Sequence, residues 1–255
     1  MMRLKSPDEI LKIEHASRIV AEILSIFSEY VVEGSDASVL ERLALERMST
    51  RGAEPAFRGY RGYGFALTVS VNEEVVHGLP LREKVFRTGD IVSVDCGVVK
   101  SDYIGDAAYT YVVGGFLCDG DRILVQETQR ALQIAIDAAR PGNRIGDIGN
   151  AVQSYAERFG LSVIRDYVGH GVGSALHEDP QIPNYGKVGT GPVIRTGMTL
   201  AIEPMISSGD FPVEVLGDGW TAVTKDRSRT AHFEHTVVVE EKGARILSTL
   251  DGGVQ

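Results

Sequence analysis

Cysteine is scarce in this sequence: 255 residues contain two, Cys96 and Cys118. They form no CxxC pair and no disulfide framework, so a reducing, cytoplasmic setting is expected. Long apolar runs are missing as well. No stretch reaches the roughly 18 apolar residues of a membrane span, and the N-terminus MMRLKSPDEI has no apolar leader segment. Blocks of Lys and Arg are also absent. The 26 basic residues are outnumbered by 35 acidic ones, for a net charge of -9. That balance argues against nucleic acid or an anionic membrane as the main partner. Pro/Ser-rich linkers and short-period repeats are lacking, so one domain spanning 1–255 is expected. What remains is ordinary globular material: 43% hydrophobic and 24% charged residues, able to bury a sizeable core without staples.

The order of elements follows from period and punctuation. Ser6, Pro7 and Glu9 make a capping box with proline at the first helical position. Ile10, Ile13, Ile19, Val20, Ile23, Leu24 and Phe27 then recur near a 3.6 period, with Gly34 as the stop. A second helix is expected over 37–49, closed by Gly52. The period then falls to two, and strands are expected over 65–71, 91–99 and 106–113. Helices return over 120–139 and 145–159. Further strands are expected over 163–167, 199–205, 220–223 and 233–239, with loops over 186–192 and 207–219. Two helices then strands, twice over, predict an α+β fold of two pseudo-symmetric halves whose strands meet in the middle.

One stretch resists that bland description. SVDCGVVKSDYIGDAAYTYVV reads as a hairpin, yet Asp95 and Asp106 lie inside its strands. Aspartate is depleted in strands, and an unpaired buried carboxylate is costly. A turn at Lys100-Ser101 would set Asp95 directly opposite Asp106, with Cβ atoms about 5 Å apart. Gly105 invites a bulge that would break this pairing. The alternative is that one aspartate is a turn residue and the other a cap. Elsewhere, TLAIEPM ends an apolar strand on Glu203, FEHTVVVE sets Glu234 beside another, and GHGVG holds His170 between glycines. Four carboxylates and one imidazole suit two divalent cations bound mainly through oxygen, from among Mn, Co, Fe(II) and Zn. Such ions would neutralise the aspartates.

These segments, together with NEEVVHGLP, GHGVGSALHEDPQIPNY and DGWTAVTKDRSRTAHFEHTVVV, resemble the type I methionine aminopeptidases. The resemblance runs from about residue 57 to 239, and the N-terminal helices also fit it. It implies the pita-bread (creatinase/aminopeptidase) fold, a central antiparallel sheet flanked by helices. It implies two-metal removal of an N-terminal methionine when the second residue is small. In that family pattern Asp106 and Glu234 bridge the metals, Asp95 completes one ion, and His170 with Glu203 completes the other. Glu203 would double as general base. His77 would contact the substrate amide or its leaving amine, and His177 would stabilise the tetrahedral intermediate. Phe57, Tyr60, Tyr63, Thr68, Leu176 and Trp220 match the side-chain pocket. Family members often carry Cys where Thr68 stands and Phe where Leu176 stands, and both changes keep a narrow apolar wall. A monovalent cation, Na or K, is implied near Asn72, Glu74 and Thr230. The expected partner is a peptide or nascent-chain N-terminus, with transient ribosome contact, and the expected state is a monomer. His15, His232 and His235 receive no role. Two rivals carry different signatures. X-Pro peptidases of the same fold usually bear an extra N-terminal domain, and non-catalytic relatives usually lose metal ligands.

Overall fold

The computed structural model describes residues 2–250. Four helices form where the apolar period is 3.6: α1 (Pro7–Phe27), α2 (Ala37–Thr50), α3 (Asp119–Ala138) and α4 (Ile145–Ala156). The α1 capping box is present: Ser6 Oγ accepts from Glu9 N–H, and the Glu9 carboxylate accepts from Ser6 N–H at 2.8 Å. The helix ends earlier than Gly34 suggested, at Ser28, and Gly34 serves a later turn at φ 83°. No helix among the described residues is long and apolar enough to cross a membrane.

The strand Ile91–Lys100 is the spine of the first half. It pairs antiparallel with Tyr103–Val112 on one side, and with Leu67–Val71 and Glu54–Pro55 on the other. Its turn differs from the expected one. Ser101 and Asp102 occupy it, at φ 52° and 66°, the two left-handed positions of a type I′ hairpin. Serine and aspartate tolerate that conformation better than Lys100 would. Asp95 therefore faces Ala108, and Asp106 faces Gly97. A two-residue shift leaves every side chain on its original face, so both aspartates still share one surface. The ladder also runs unbroken, without the bulge expected at Gly105. Gly105 serves a different purpose: a Cβ there would lie 2.2 Å from Ser17 N and 2.6 Å from Ala16 C. The backbone of α1 rests directly on that glycine.

Alternation decides what each sheet face meets. Val92, Val94, Cys96 and Val98 pack outward with Leu40 and Met48 of α2 and with Ile23 and Phe27 of α1. Ser93, Asp95 and Gly97 point the other way. The second half repeats the plan. Its sheet runs Gly243–Ile246, His235–Glu240, Thr199–Ile202, Gly169–Gly171, Glu178–Ile182, all antiparallel. Leu200, Ile202, Val237 and Val239 of that sheet pack with Leu132, Ile136, Ile148 and Val152 of α3 and α4. The halves join where Glu234 N–H donates to Ala108 O at 2.9 Å and Thr236 Oγ1 donates to Asp106 O at 2.8 Å.

Three expected strands change form. Pro204, which cannot donate to a ladder, splits 199–205 into Thr199–Ile202 in one sheet and Met205–Ser207 in another. The expected strand over 163–167 shortens to Ser162–Val163, and the chain then turns away toward the cavity described below. The strand over 233–239 starts at His235, leaving Glu234 on an unpaired step. The expected loop over 207–219 contains a short strand, Val213–Val215.

Substituting Gly105→Ala should destabilise the chain by about 1–3 kcal/mol, because α1 must move away from the sheet. Gly217→Ala is the control, since nothing lies within 4 Å of its Cβ position. Urea unfolding of both variants checks this, with equal midpoints counting against the close packing.

Candidate metal centre

The inner faces of the two halves enclose a cavity of about 360 Å³. Asp95 and Asp106 enter from the hairpin of the first half. His170, Glu203 and Glu234 enter from the second. The last two positions follow from one register. Ile202 pairs with His235, so the next step beyond the ladder brings Glu203 and Glu234 to the same end of neighbouring strands. The glycines around His170 allow this. A Cβ at Gly169 would lie 2.5 Å from Ala201 O, and one at Gly171 2.4 Å from Asp179 O.

Asp106, His170 and Glu234 are buried, and each places a ligand atom within 4.8 Å of the others. Glu203 Oε1 lies 3.5 Å from His170 Nε2, and Asp106 Oδ2 lies 3.9 Å from the same nitrogen. The tautomer of His170 follows from its other nitrogen. Nδ1 sits 3.0 Å from Gly171 O, a group that only accepts, so Nδ1 carries the proton and Nε2 is bare. Burial pushes this ring down to about 4, which keeps it neutral near pH 7. A bare nitrogen facing two carboxylates is repulsive unless a cation lies between them.

The carboxylates show the same deficit. Asp95 Oδ1, Asp106 Oδ1 and Glu234 Oε1 are buried without a hydrogen-bond partner in the protein. Burial, opposed by His232 and reinforced by Glu203, pushes Asp95 up to about 7. Burial pushes Asp106, Glu203 and Glu234 well above the usual carboxylate range, and their mutual repulsion adds to the rise at Asp106 and Glu234. Orphaned oxygens, a bare imidazole nitrogen and a hard oxygen-rich donor set all fit divalent cations.

Every residue expected in the side-chain pocket lines this cavity: Phe57, Tyr60, Tyr63, Thr68, Leu176 and Trp220. Thr68 is the cross-strand partner of Asp95, so the pocket and the acidic cluster share a floor. Tyr63 meets Trp220 edge-on, with ring centroids 5.0 Å apart. Gly97 makes room for Phe57, whose Cε1 would be 2.5 Å from a Cβ there. His77 and His177 both line the cavity. His77 has φ 61° and packs edge-on against Tyr167 at 5.2 Å. Burial, followed by the nearby His232 and His177, pushes it down to about 4. His177 stacks 4.2 Å from His170, and its Nδ1 lies 2.9 Å from Tyr60 Oη.

Asn72, Glu74 and Thr230 also come together. Thr230 Oγ1 donates to Glu74 O at 2.8 Å and lies 3.1 Å from Asn72 O. The Glu74 carboxylate is committed to Lys84 Nζ at 2.6 Å.

One residue of the centre carried no expected role. His232 is fully buried, and its Nε2 lacks a hydrogen-bond partner and lies 3.5 Å from Glu203 Oε2. Its position two residues before Glu234, on the same side of an extended run, was the available signal. Arg61, Val76 and the turn Asp166–Tyr167–Val168 also line the cavity, and nothing in their local sequence marks them. His15 is exposed on α1, and His235 bonds Ser248 Oγ at 2.9 Å away from the cavity.

The chain belongs to metallopeptidase family M24, whose model matches residues 11–241. It is similar along its length to methionine aminopeptidases. "Methionine aminopeptidase 1" of Bacillus subtilis is 43% identical over 97% of this chain and 99% of that protein. The crystal structure of methionine aminopeptidase from Thermotoga maritima is 54% identical, covers 98% of this chain and 100% of that one, and superposes with a TM-score of 0.97. The prolidase from Pyrococcus furiosus shares the pita-bread fold at a TM-score of 0.79 and 25% identity, with 97% of this chain covering 66% of the prolidase.

The raised carboxyls set the pH dependence of metal binding. At pH 6 Asp95, with its carboxyl at about 7, still holds most of its proton. His170, at about 4, has already lost its own. Divalent-ion binding to metal-free protein should therefore release about one proton or more at pH 6, supplied by carboxyls, and apparent affinity should rise toward pH 8. Calorimetry in buffers of different ionisation enthalpy measures this release, and Asp95→Asn should reduce it. Binding with no proton release at pH 6 would contradict the assignment.

Proposed function

We propose that the chain removes the N-terminal methionine from peptides and nascent proteins whose second residue is small, by hydrolysis of the first peptide bond. The carrying observation is a cluster of four carboxylates and one imidazole lining one cavity, in a chain that aligns along its length with methionine aminopeptidases. Asp95, Asp106, His170, Glu203 and Glu234 would hold the metals. Bound there, two divalent ions would polarise the first carbonyl, lower the pKa of a water and take the free α-amine of the substrate. The carboxylate-rich set with one imidazole favours Mn, Co, Fe(II) or Zn.

The protein groups supply the rest. Glu203 is the general base, accepting the proton of the attacking water. His177 donates to the developing oxyanion. Its partner Tyr60 supports that role, because a phenol donating to Nδ1 leaves the proton on Nε2. Desolvation, followed by the Arg61 charge, pushes His177 down, so it donates as a neutral imidazole. His77 contacts the substrate amide or its leaving amine. Phe57, Tyr60, Tyr63, Leu176 and Trp220 surround the methionine side chain, whose flexible thioether packs well on aromatic walls. A monovalent cation at the Asn72 and Glu74 carbonyls is part of the proposal, supported by their convergence on Thr230. So is a monomeric enzyme that meets nascent chains in transient ribosome contact, in a cytoplasmic setting that the two free cysteines support.

Two measurements test this reading. Met-Ala-Ser should be cleaved with kcat/KM more than about a hundredfold above Met-Lys-Ser, because a clash at the second residue costs several kcal/mol. Acetyl-Met-Ala-Ser should resist cleavage. Equal rates for Ala and Lys would refute the crowded second site, and cleavage of the acetylated peptide would refute capture of the amine. Separately, His177→Ala should lower kcat by roughly 10²–10³ with little change in KM. A pure KM effect would place His177 in ground-state binding instead.

A further inference from the structure

The segment ahead of α1 contains a buried ion pair that reaches the cavity loop. The Lys5 side chain is 3% exposed, and its Nζ lies 2.7 Å from Glu178 Oε2. A buried ammonium depends on such a partner, because leaving it uncompensated is strongly unfavourable. The backbone of Lys5 is fixed as well, its N–H donating to Gly197 O at 2.7 Å. The lysine is therefore a stationary post rather than a mobile surface charge.

Glu178 directly follows His177. Its second oxygen accepts the N–H of Ala175 at 3.3 Å, closing the loop on itself. Gly173 N–H donates to Ala175 O at 3.2 Å, and Gly173 O accepts from Ile104 N–H at 2.8 Å. The pair lies flush on that backbone. A Cβ at Gly173 would be 2.5 Å from Lys5 Cε and 2.4 Å from Glu178 Oε1. The same short loop sends Leu176 and His177 into the cavity. The His177 ring meets Tyr60 Oη and His170, and the backbone of this loop determines whether it reaches them.

We propose that Lys5 is a positioning residue: by holding Glu178 it sets the loop 173–178, and with it the place of His177 at the reacting carbonyl and of Leu176 in the methionine pocket. The kinetic part of this inference rests on His177 acting at the developing oxyanion. The N-terminal segment then belongs to the working parts of the enzyme, although none of its described residues lines the cavity.

Two variants of the full-length, metal-loaded chain test the proposal. Lys5→Met leaves Glu178 without its partner, and should lower both the melting temperature and kcat on Met-Ala-Ser. The double variant Lys5→Met/Glu178→Met removes both charges, and should recover stability, because replacing a whole buried pair by apolar groups is often neutral. Its kcat should stay roughly 10-fold to 100-fold low, as small misplacements of a reacting group cost that much. Metal content should stay at the wild-type level. The ring ¹H–¹⁵N signals of His177, assigned with His177→Ala, should differ from wild type in both variants. His177 signals identical to wild type in both variants, whether or not kcat recovers, would overturn the proposal. Shifted His177 signals with wild-type kcat would confirm that Lys5 places the loop, and would instead count against the oxyanion role of His177.

Discussion

Mutual repulsion among buried carboxylates is the constraint on which this structure turns. Asp95, Asp106, Glu203 and Glu234 come together at the junction of the two halves, and Asp95, Asp106 and Glu234 each keep an oxygen that no protein donor satisfies. Held as free anions they would drive the halves apart, and held as neutral acids they would be idle. Divalent cations resolve the conflict, because a dication turns the same crowding into attraction. The bare nitrogen of His170, aimed at Glu203 and Asp106, makes the same demand with a different chemistry.

The sheets meet this demand through their alternation. Each half turns an apolar face outward to its pair of helices and a polar face inward to the other half. The helices supply the burial that the inner faces lack. The contacts joining the halves are then directional: Thr236 and Thr110 hydroxyls bond backbone groups across the junction, at 2.8 Å to Asp106 O and 2.6 Å to His232 O. Such contacts fix register where apolar packing would allow slip. Thr68 lies opposite Asp95 on the neighbouring strand, and Ala201, two residues before Glu203, packs with Leu176, so the acidic cluster and the apolar wall share one framework.

The family likeness agrees with this physical reading but narrows it. Prolidase shares the fold at 25% identity, so the architecture alone admits more than one exopeptidase. Phe57, Tyr63, Leu176 and Trp220 form an apolar wall beside the acidic cluster.

Much of this was legible in the amino-acid order. The capping box at Ser6, the apolar faces of the helices and the out-of-place acids at Asp95, Asp106, Glu203 and Glu234 are local signals, because helix period, caps and strand propensity act over a few residues. The aspartates shared a face under either hairpin register, since the side-chain period of a strand is two. Tertiary structure decided what depends on distant partners. The turn settled on Ser101-Asp102, and Gly105 turned out to be a seat for α1 instead of a bulge. Pro204 divided one expected strand between two sheets. His232 joined the centre, and Lys5 reached across 173 residues to hold Glu178. No local pattern specifies such contacts, because they arise only when two halves, each folded on its own helices, bring their inner faces together.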